Sequence, residues 1–260
     1  MELRVLGCSG GIGGDKRRTT SFLLGEDVLI DAGSGVADLE LEQMEKIRHI
    51  FLTHSHLDHI HMIPLLLDTV FDRLEQPVVI HGLPQTLKAL QTHIFNDIIW
   101  PDFATLPNAD FPVMVYEPMR PGERKKVGNA YYSMLPVNHI VPTVAYVVEY
   151  PGGVFAFSGD TTTNDTLWQG LNSLERLDHL IVESAFSSAE LAMCEMSRHY
   201  CPQLLADDLK KLRHNPHVYL TVEASGESGQ TVEWLVETGA TPIMARSGWT
   251  PQSLAPGELV

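Results

Sequence analysis

Cysteine is scarce in this chain: Cys8, Cys194 and Cys201 make an odd number without paired spacing, which excludes a disulfide framework. The opening Met1-Glu2-Leu3-Arg4 carries no apolar signal segment, so the cytoplasm is the expected compartment. No apolar run approaches the roughly 20 residues that a membrane-spanning helix requires. Basic residues are also few, 18 Lys and Arg against 33 Asp and Glu. The resulting formal charge of −15 repels phosphate backbones and anionic membranes at long range, which disfavours a polynucleotide or a membrane as partner. Bound divalent metals would invert that field locally, so a small phosphate ester stays open as a substrate. Low-complexity tracts and obvious internal repeats are missing. With 44% hydrophobic and 20% charged residues the chain has ample core material and the composition of a globular protein. A length of 260 residues fits one large α/β domain over 1–260.

What is present is concentrated in Thr53-His54-Ser55-His56-Leu57-Asp58-His59, straight after the apolar run His49-Ile50-Phe51-Leu52. Imidazole nitrogen and carboxylate oxygen are borderline to hard ligands, and their dense spacing lets one loop present them to two adjacent divalent ions. In an extended strand His54, His56 and Asp58 would share a face but stand roughly 7 Å apart in succession, so they meet one ion only if the strand ends there and coils, leaving Asp58 and His59 to a second position. His61, just beyond, reads as structural.

Along the chain, strands are expected over 3–8, 21–24, 28–31, 78–81, 131–137, 144–150, 154–157, 180–183, 218–220 and 242–244. Helices are expected over 39–47, 60–71, 83–95, 166–174, 202–212 and 231–237. The glycine-rich stretch 9–14 either lines a site or is a flexible turn, and 100–112 reads as an irregular lid or substrate loop. His54, His139 and Asp160 each follow a candidate strand, and Glu183 ends another. Two strand-rich stretches, each followed by helices, suggest two sheets packed face to face with helices outside, a four-layer αββα sandwich.

These residues resemble the metallo-β-lactamase fold, whose hydrolases carry a His-x-His-x-Asp-His loop, a later His and a bridging Asp. His54, His56, Asp58, His59, His139 and Asp160 match that order one by one. Within that superfamily, His54-Ser55-His56-Leu57-Asp58-His59-Ile60 and His93-Ile94-Phe95-Asn96-Asp97-Ile98-Ile99-Trp100-Pro101 resemble the class II cyclic-nucleotide phosphodiesterases. The match breaks at Met62, where the family pattern has Gly or Ser. Leu180-Ile181-Val182-Glu183 with His199 is similar to the Glu and catalytic His of the tRNA 3′-end endonucleases, whose basic tRNA-binding arm has no counterpart here. Glu183 also reads as a solvated helix-cap carboxylate, and His199 as a surface histidine.

The resemblance implies a metal-dependent hydrolysis of 3′,5′-cyclic AMP or GMP to the 5′-nucleotide through a metal-bound hydroxide. Zinc is the expected metal, with manganese or iron as alternatives, in a pair bridged by Asp160. Asp58 would orient the nucleophile and His199, fixed by Glu183, would protonate the leaving oxygen. Trp100 or Phe103 is either a base-stacking residue or plain core. In the resembled enzymes a His follows a strand near Tyr219-Leu220-Thr221 and completes the second metal site; here Val222 stands there, so the second ion is expected to bind more weakly. The rival readings are an RNA endonuclease, another hydrolase on the same fold, and a non-catalytic metal or nucleotide sensor. A homodimer is compatible with the sequence, which does not specify one.

Overall fold

The computed structural model describes residues 1–12, 17–225 and 231–238, with 222–225 and 231–238 described by backbone alone. The chain divides into two compact units, Met1–Arg120 and Pro121–Val260.

The first unit is built on strands β1 (Leu3–Gly7), β2 (Ser21–Leu24) and β3 (Val28–Ile30), helix α1 (Leu41–Met44), β4 (His49–Phe51), helices α2 (Leu57–Ile60) and α3 (Met62–Thr69), β5 (Val78–Gly82), α4 (Pro84–His93) and β6 (Met114–Pro118). The strands lie in chain order in one sheet, antiparallel from β1 to β3 and parallel from β3 to β6. Parallel neighbours need crossover connections, and these carry the helices. Strand β3 is accordingly an unbroken apolar run, Val28-Leu29-Ile30, buried throughout. Leu29, Ile50 and Ile80 pack with Ile63, Leu66 and Leu67 of α3 and with Leu87 and Leu90 of α4. Each such side chain, fully buried, stabilises the fold by about 1.5–3 kcal/mol.

One helix was expected over 60–71; two form, meeting at His61. Pro64 has no N–H for the carbonyl of Ile60, so α2 and α3 cannot run on as one ladder. Helix 39–47 shrinks to α1, preceded by a 3-10 turn over Ser34–Asp38.

The second unit contains β7 (Arg124–Val127), β8 (Ala130–Pro136), β9 (Val144–Tyr150), β10 (Gly153–Phe157), α5 (Thr166–Asn172), β11 (His179–Ser184), α6 (Leu191–Ser197), α7 (Pro202–Leu209), β12 (His217–Ser225) and β13 (Thr231–Thr238). Again the strands follow chain order, antiparallel from β7 to β10, parallel from β10 to β12, with β13 antiparallel on β12. Leu167, Trp168 and Leu171 of α5 and Leu205 and Leu209 of α7 cover Ala156, Leu180, Val182, Val218 and Leu220 of the sheet.

The helix expected over 231–237 is the strand β13, paired with β12 from Ser225 opposite Thr231 to Val218 opposite Thr238. Val232, Trp234 and Val236 alternate with Glu233, Leu235 and Glu237, a period of two in β-branched and aromatic residues that fits a strand. The expected strand at 242–244 lies outside the described residues. Strands β6 and β7 had no expected counterpart; β7, Arg-Lys-Lys-Val, is a charged edge strand of the kind that blocks further pairing. Among the described residues no helix is long and apolar enough to cross a membrane.

Within each sheet the parallel strands present their carboxyl ends at one edge, the end at which open α/β sheets carry their ligand sites. Asp31 and Thr53 follow β3 and β4 in the first unit, while Asp160 and Glu183 lie at the ends of β10 and β11 in the second.

Candidate metal centre

In the first unit, β4 stops at Phe51 and the backbone coils until His56 caps α2 in an extended conformation. That break frees His54, His56, Asp58 and His59 from strand alternation and turns them toward one another. The His54 ring centroid lies 4.6 Å from that of His56 and 4.2 Å from that of His59. Asp58 Oδ2 is 3.6 Å from His59 Nε2. His61 lies outside the group and donates from Nδ1 to the Leu57 carbonyl.

Beneath this loop sits Asp31, fully buried and with a left-handed φ of 57°. Its Oδ1 accepts the Thr53 backbone N–H at 2.8 Å, and its Oδ2 accepts the Thr53 hydroxyl and His59 Nδ1, each at 2.7 Å. Because the Thr53 hydroxyl is already donated to Asp31, its oxygen is the acceptor for His54 Nδ1 at 3.0 Å. One carboxylate therefore sets the tautomer of two imidazoles, directly for His59 and through Thr53 for His54. Both carry the proton on Nδ1 and present the Nε2 lone pair, the form a metal ligand requires. Burial raises the Asp31 pKa above its ordinary value, while the charge and hydrogen bond of His59 and the bonds from Thr53 work in the opposite direction.

The backing of α2 leaves no spare room. The Ala32 N–H bonds the His59 carbonyl at 2.7 Å, and a Cβ at Gly33 would lie 2.5 Å from the Asp58 carbonyl oxygen and 2.4 Å from Thr19 Oγ1.

In the second unit, His139 follows β8 and is buried. Its Nδ1 donates to the Arg198 carbonyl at 3.1 Å, the Arg198 guanidinium returns a bond to the His139 carbonyl at 2.8 Å, and His139 Nε2 faces Asp160 Oδ2 at 3.9 Å. Asp160 is presented by a turn after β10 in which Gly159 takes a φ of 60°, a conformation that favours glycine. Glu183 is the buried penultimate residue of β11, and His199 follows α6, whose last turn is closed by Arg198 in the left-handed region. Glu183 Oε1 accepts the Thr161 N–H at 2.6 Å, and His199 Nδ1 bonds both Glu183 oxygens at 2.9 and 3.0 Å. Burial pushes the Glu183 carboxyl up to about 7; His199 and the Thr161 N–H pull it down, and Asp160 adds to the rise.

Asp160, Glu183 and His199 each offer a ligand atom, all within 4.8 Å of one another, a group able to hold a cation. The donor chemistry of both units, imidazole nitrogen and carboxylate oxygen with ring tautomers already set, fits divalent zinc, manganese or iron.

The resembled stretch from His93 forms a tight turn after α4. Asn96 Oδ1 accepts the N–H groups of Ile98 and Ile99 at 3.0 and 2.8 Å, and Asp97 sits at a φ of 61° with its N–H on the Trp100 carbonyl. Phe103 is core, against Phe71 and Phe95, which removes it as a base-stacking residue; Trp100 is partly buried against the same cluster. Val222 pairs through its backbone with Ser184 and Trp234, and its side chain and that of Glu223 lie outside the described residues.

Asp31 and Thr53, which hold two of the expected ligands, stand outside the ligand set expected from the sequence. The available signal was an acid ending an apolar strand directly before Ala-Gly-Ser-Gly, where a buried charge needs partners.

The two mixed sheets and the order of the site residues define a class, the metallo-β-lactamase fold, and solved structures bear this out. The chain superposes on unliganded yeast PDE1 with a TM-score of 0.66 and 17% identity over 80% of this chain and 81% of that one. The metallo-β-lactamase fold protein YhfI from Bacillus subtilis gives 0.62 and 22% over 83% and 86%, and human tRNase Z, short form, 0.60 and 19% over 82% and 90%. The fold expected from the sequence is thus established.

More particularly, residues 37–145 match the family model of class-II cAMP phosphodiesterases, and residues 188–260 match a family of unknown function. The chain is 39% identical over 62 residues to 3′,5′-cyclic-nucleotide phosphodiesterase 1 of Saccharomyces cerevisiae, covering 24% of this chain and 17% of that protein. It is 32% identical over 157 residues to ribonuclease Z of Methanococcus maripaludis, covering 56% of this chain and 47% of that protein. The chain therefore spans less than half the length of these curated relatives.

Proposed function

We propose that the protein is a metal-dependent phosphodiesterase that hydrolyses 3′,5′-cyclic nucleotides to 5′-nucleotides. The observation that carries this reading is the family match over 37–145, which takes in both the metal loop and the Asn96 turn. In this reading the residues that would hold divalent ions are His54, His56, Asp58 and His59 of the first unit and His139 and Asp160 of the second. When bound, such ions supply positive charge for the phosphate oxygens and lower the pKa of water at neutral pH.

The chain's own residues do the rest. Asp58 orients the attacking water. His199 delivers a proton from Nε2 to the departing 3′ oxygen, since its Nδ1 is engaged by Glu183. The Thr161 N–H also holds Glu183, through Oε1, and so keeps the imidazole aimed.

A second reading, RNA cleavage of the ribonuclease Z kind, is favoured by the longer stretch of similarity, 157 residues against 62. The charge of −15 weighs toward the small ester. Purified protein supplied with zinc or manganese is expected to release 5′-AMP from cAMP and to lose that activity on chelation. Cleavage of pre-tRNA with cAMP turnover no higher than a metal-stripped control would assign the protein to the nuclease reading.

A further inference from the structure

Asp208, near the end of α7, is 2% exposed and yet accepts four bonds. Its Oδ2 takes the Tyr200 hydroxyl at 2.7 Å, the Trp168 indole N–H at 3.0 Å and the Asn164 backbone N–H at 3.2 Å, and its Oδ1 pairs with Lys211 Nζ at 2.7 Å. Two of these donors lead to the site. Tyr200 is the residue after His199. Asn164 lies in the loop that carries Asp160, and its side-chain amide donates to Thr161 Oγ1 at 3.1 Å and to the Thr162 carbonyl at 2.8 Å.

From there the bonds close on themselves. The Thr161 N–H holds Glu183, Glu183 holds His199, the chain passes to Tyr200, and Tyr200 returns to Asp208. A branch reaches His139, because the Asn138 N–H bonds Thr161 Oγ1 at 3.2 Å and His139 is tied to Arg198. The segments bearing Asp160, Glu183, His199 and His139 are otherwise separate in sequence: Glu183 lies in β11 and the other three on different connections of the sheet.

We infer that Asp208 is a positioning residue: one buried carboxylate clamps the Asp160 loop and the His199 segment to a common point and so sets the placement of His199 against Asp160. The inference rests on the proposed hydrolysis for its kinetic consequence, but not for its structural one. The Tyr200 and Asn164 bonds carry the positioning, whereas the Trp168 bond anchors α5 to α7 and leads to no site residue. Misplacement of a catalytic group by about 1 Å can cost on the order of 10²-fold in rate.

The test uses the intact chain in four forms: wild type, Asp208→Asn, Tyr200→Phe and Trp168→Phe. Each is read by thermal melting, by the imidazole NMR signals of His199, and by the ratio of turnover on cAMP to turnover on bis(p-nitrophenyl) phosphate. Asp208→Asn and Tyr200→Phe are expected to move the His199 signals and to lower the ratio about 10- to 100-fold, because only the poor leaving group needs the aimed proton. Trp168→Phe is expected to lower the melting temperature and leave both site readouts unchanged. Tyr200→Phe keeps the test decisive if Asp208→Asn does not fold. Folded Tyr200→Phe protein with wild-type His199 signals would overturn the inference, as would equal shifts in Trp168→Phe. If wild type turns over neither ester, the proposed function falls, and the His199 signals still decide the role of Asp208.

Discussion

His199 Nδ1 bonds both carboxylate oxygens of Glu183, at 2.9 and 3.0 Å, and Glu183 is only 6% exposed. A surface histidine and a solvated cap, the alternatives for this pair, would hold neither that distance nor that burial. With Nδ1 donating, the ring is fixed in plane and Nε2 is the nitrogen that exchanges protons.

Glu183→Gln should therefore slow hydrolysis of cAMP by about 10²-fold while sparing an ester with a p-nitrophenolate leaving group, and His199→Ala should do the same within about 10²–10⁴-fold. Parallel steady-state kinetics on the two substrates check this. Equal slowing of both esters would remove the pair from the acid role.

Asp31→Asn should weaken metal binding by about 10- to 100-fold, the usual effect of losing an outer partner of a ligand. Asn tolerates the left-handed backbone at this position, so the fold is kept. Its amide, however, places a donor opposite His59 Nδ1, which drives the ring to carry its proton on Nε2 and spoils it as a ligand. Metal titration of the stripped variant against wild type, with melting curves alongside, reads the difference.

Asp160→Ala should lose both turnover and bound metal, because Asp160 stands 3.9 Å from His139 Nε2 and shares its surroundings with Glu183 and His199. Elemental analysis after gel filtration measures the metal. Full occupancy with a near-normal rate would place Asp160 outside the centre.

Acid should expose the contribution of Asp208. Burial raises its pKa, but the bonds from Lys211, Tyr200, Trp168 and Asn164 outweigh burial and hold the carboxyl below its ordinary value. A depressed folded pKa means stability that is complete above the unfolded value, about 3.9, and lost as pH falls through the folded one. Denaturant midpoints of wild type and Asp208→Asn should differ at neutral pH and draw together as pH drops below about 4.

The sequence by itself determined the chemistry of the ligands and most of the strands. The spacing of His54, His56, Asp58 and His59 is local, and so are the apolar runs of β3, β9 and β10, whose burial on both faces leaves a composition readable without neighbours. Only the tertiary structure decided how the ligands are aimed. Asp31 meets Thr53 and His59 across 22 and 28 residues, Glu183 meets His199 across 16, and Asp208 meets Trp168 across 40. Such pairs form where packing on the assembled sheets brings strand ends, loops and helices together, a property of the tertiary structure that no local period records. The same holds for 231–238, where a short apolar pattern suits either period and the open edge of β12 chose the strand.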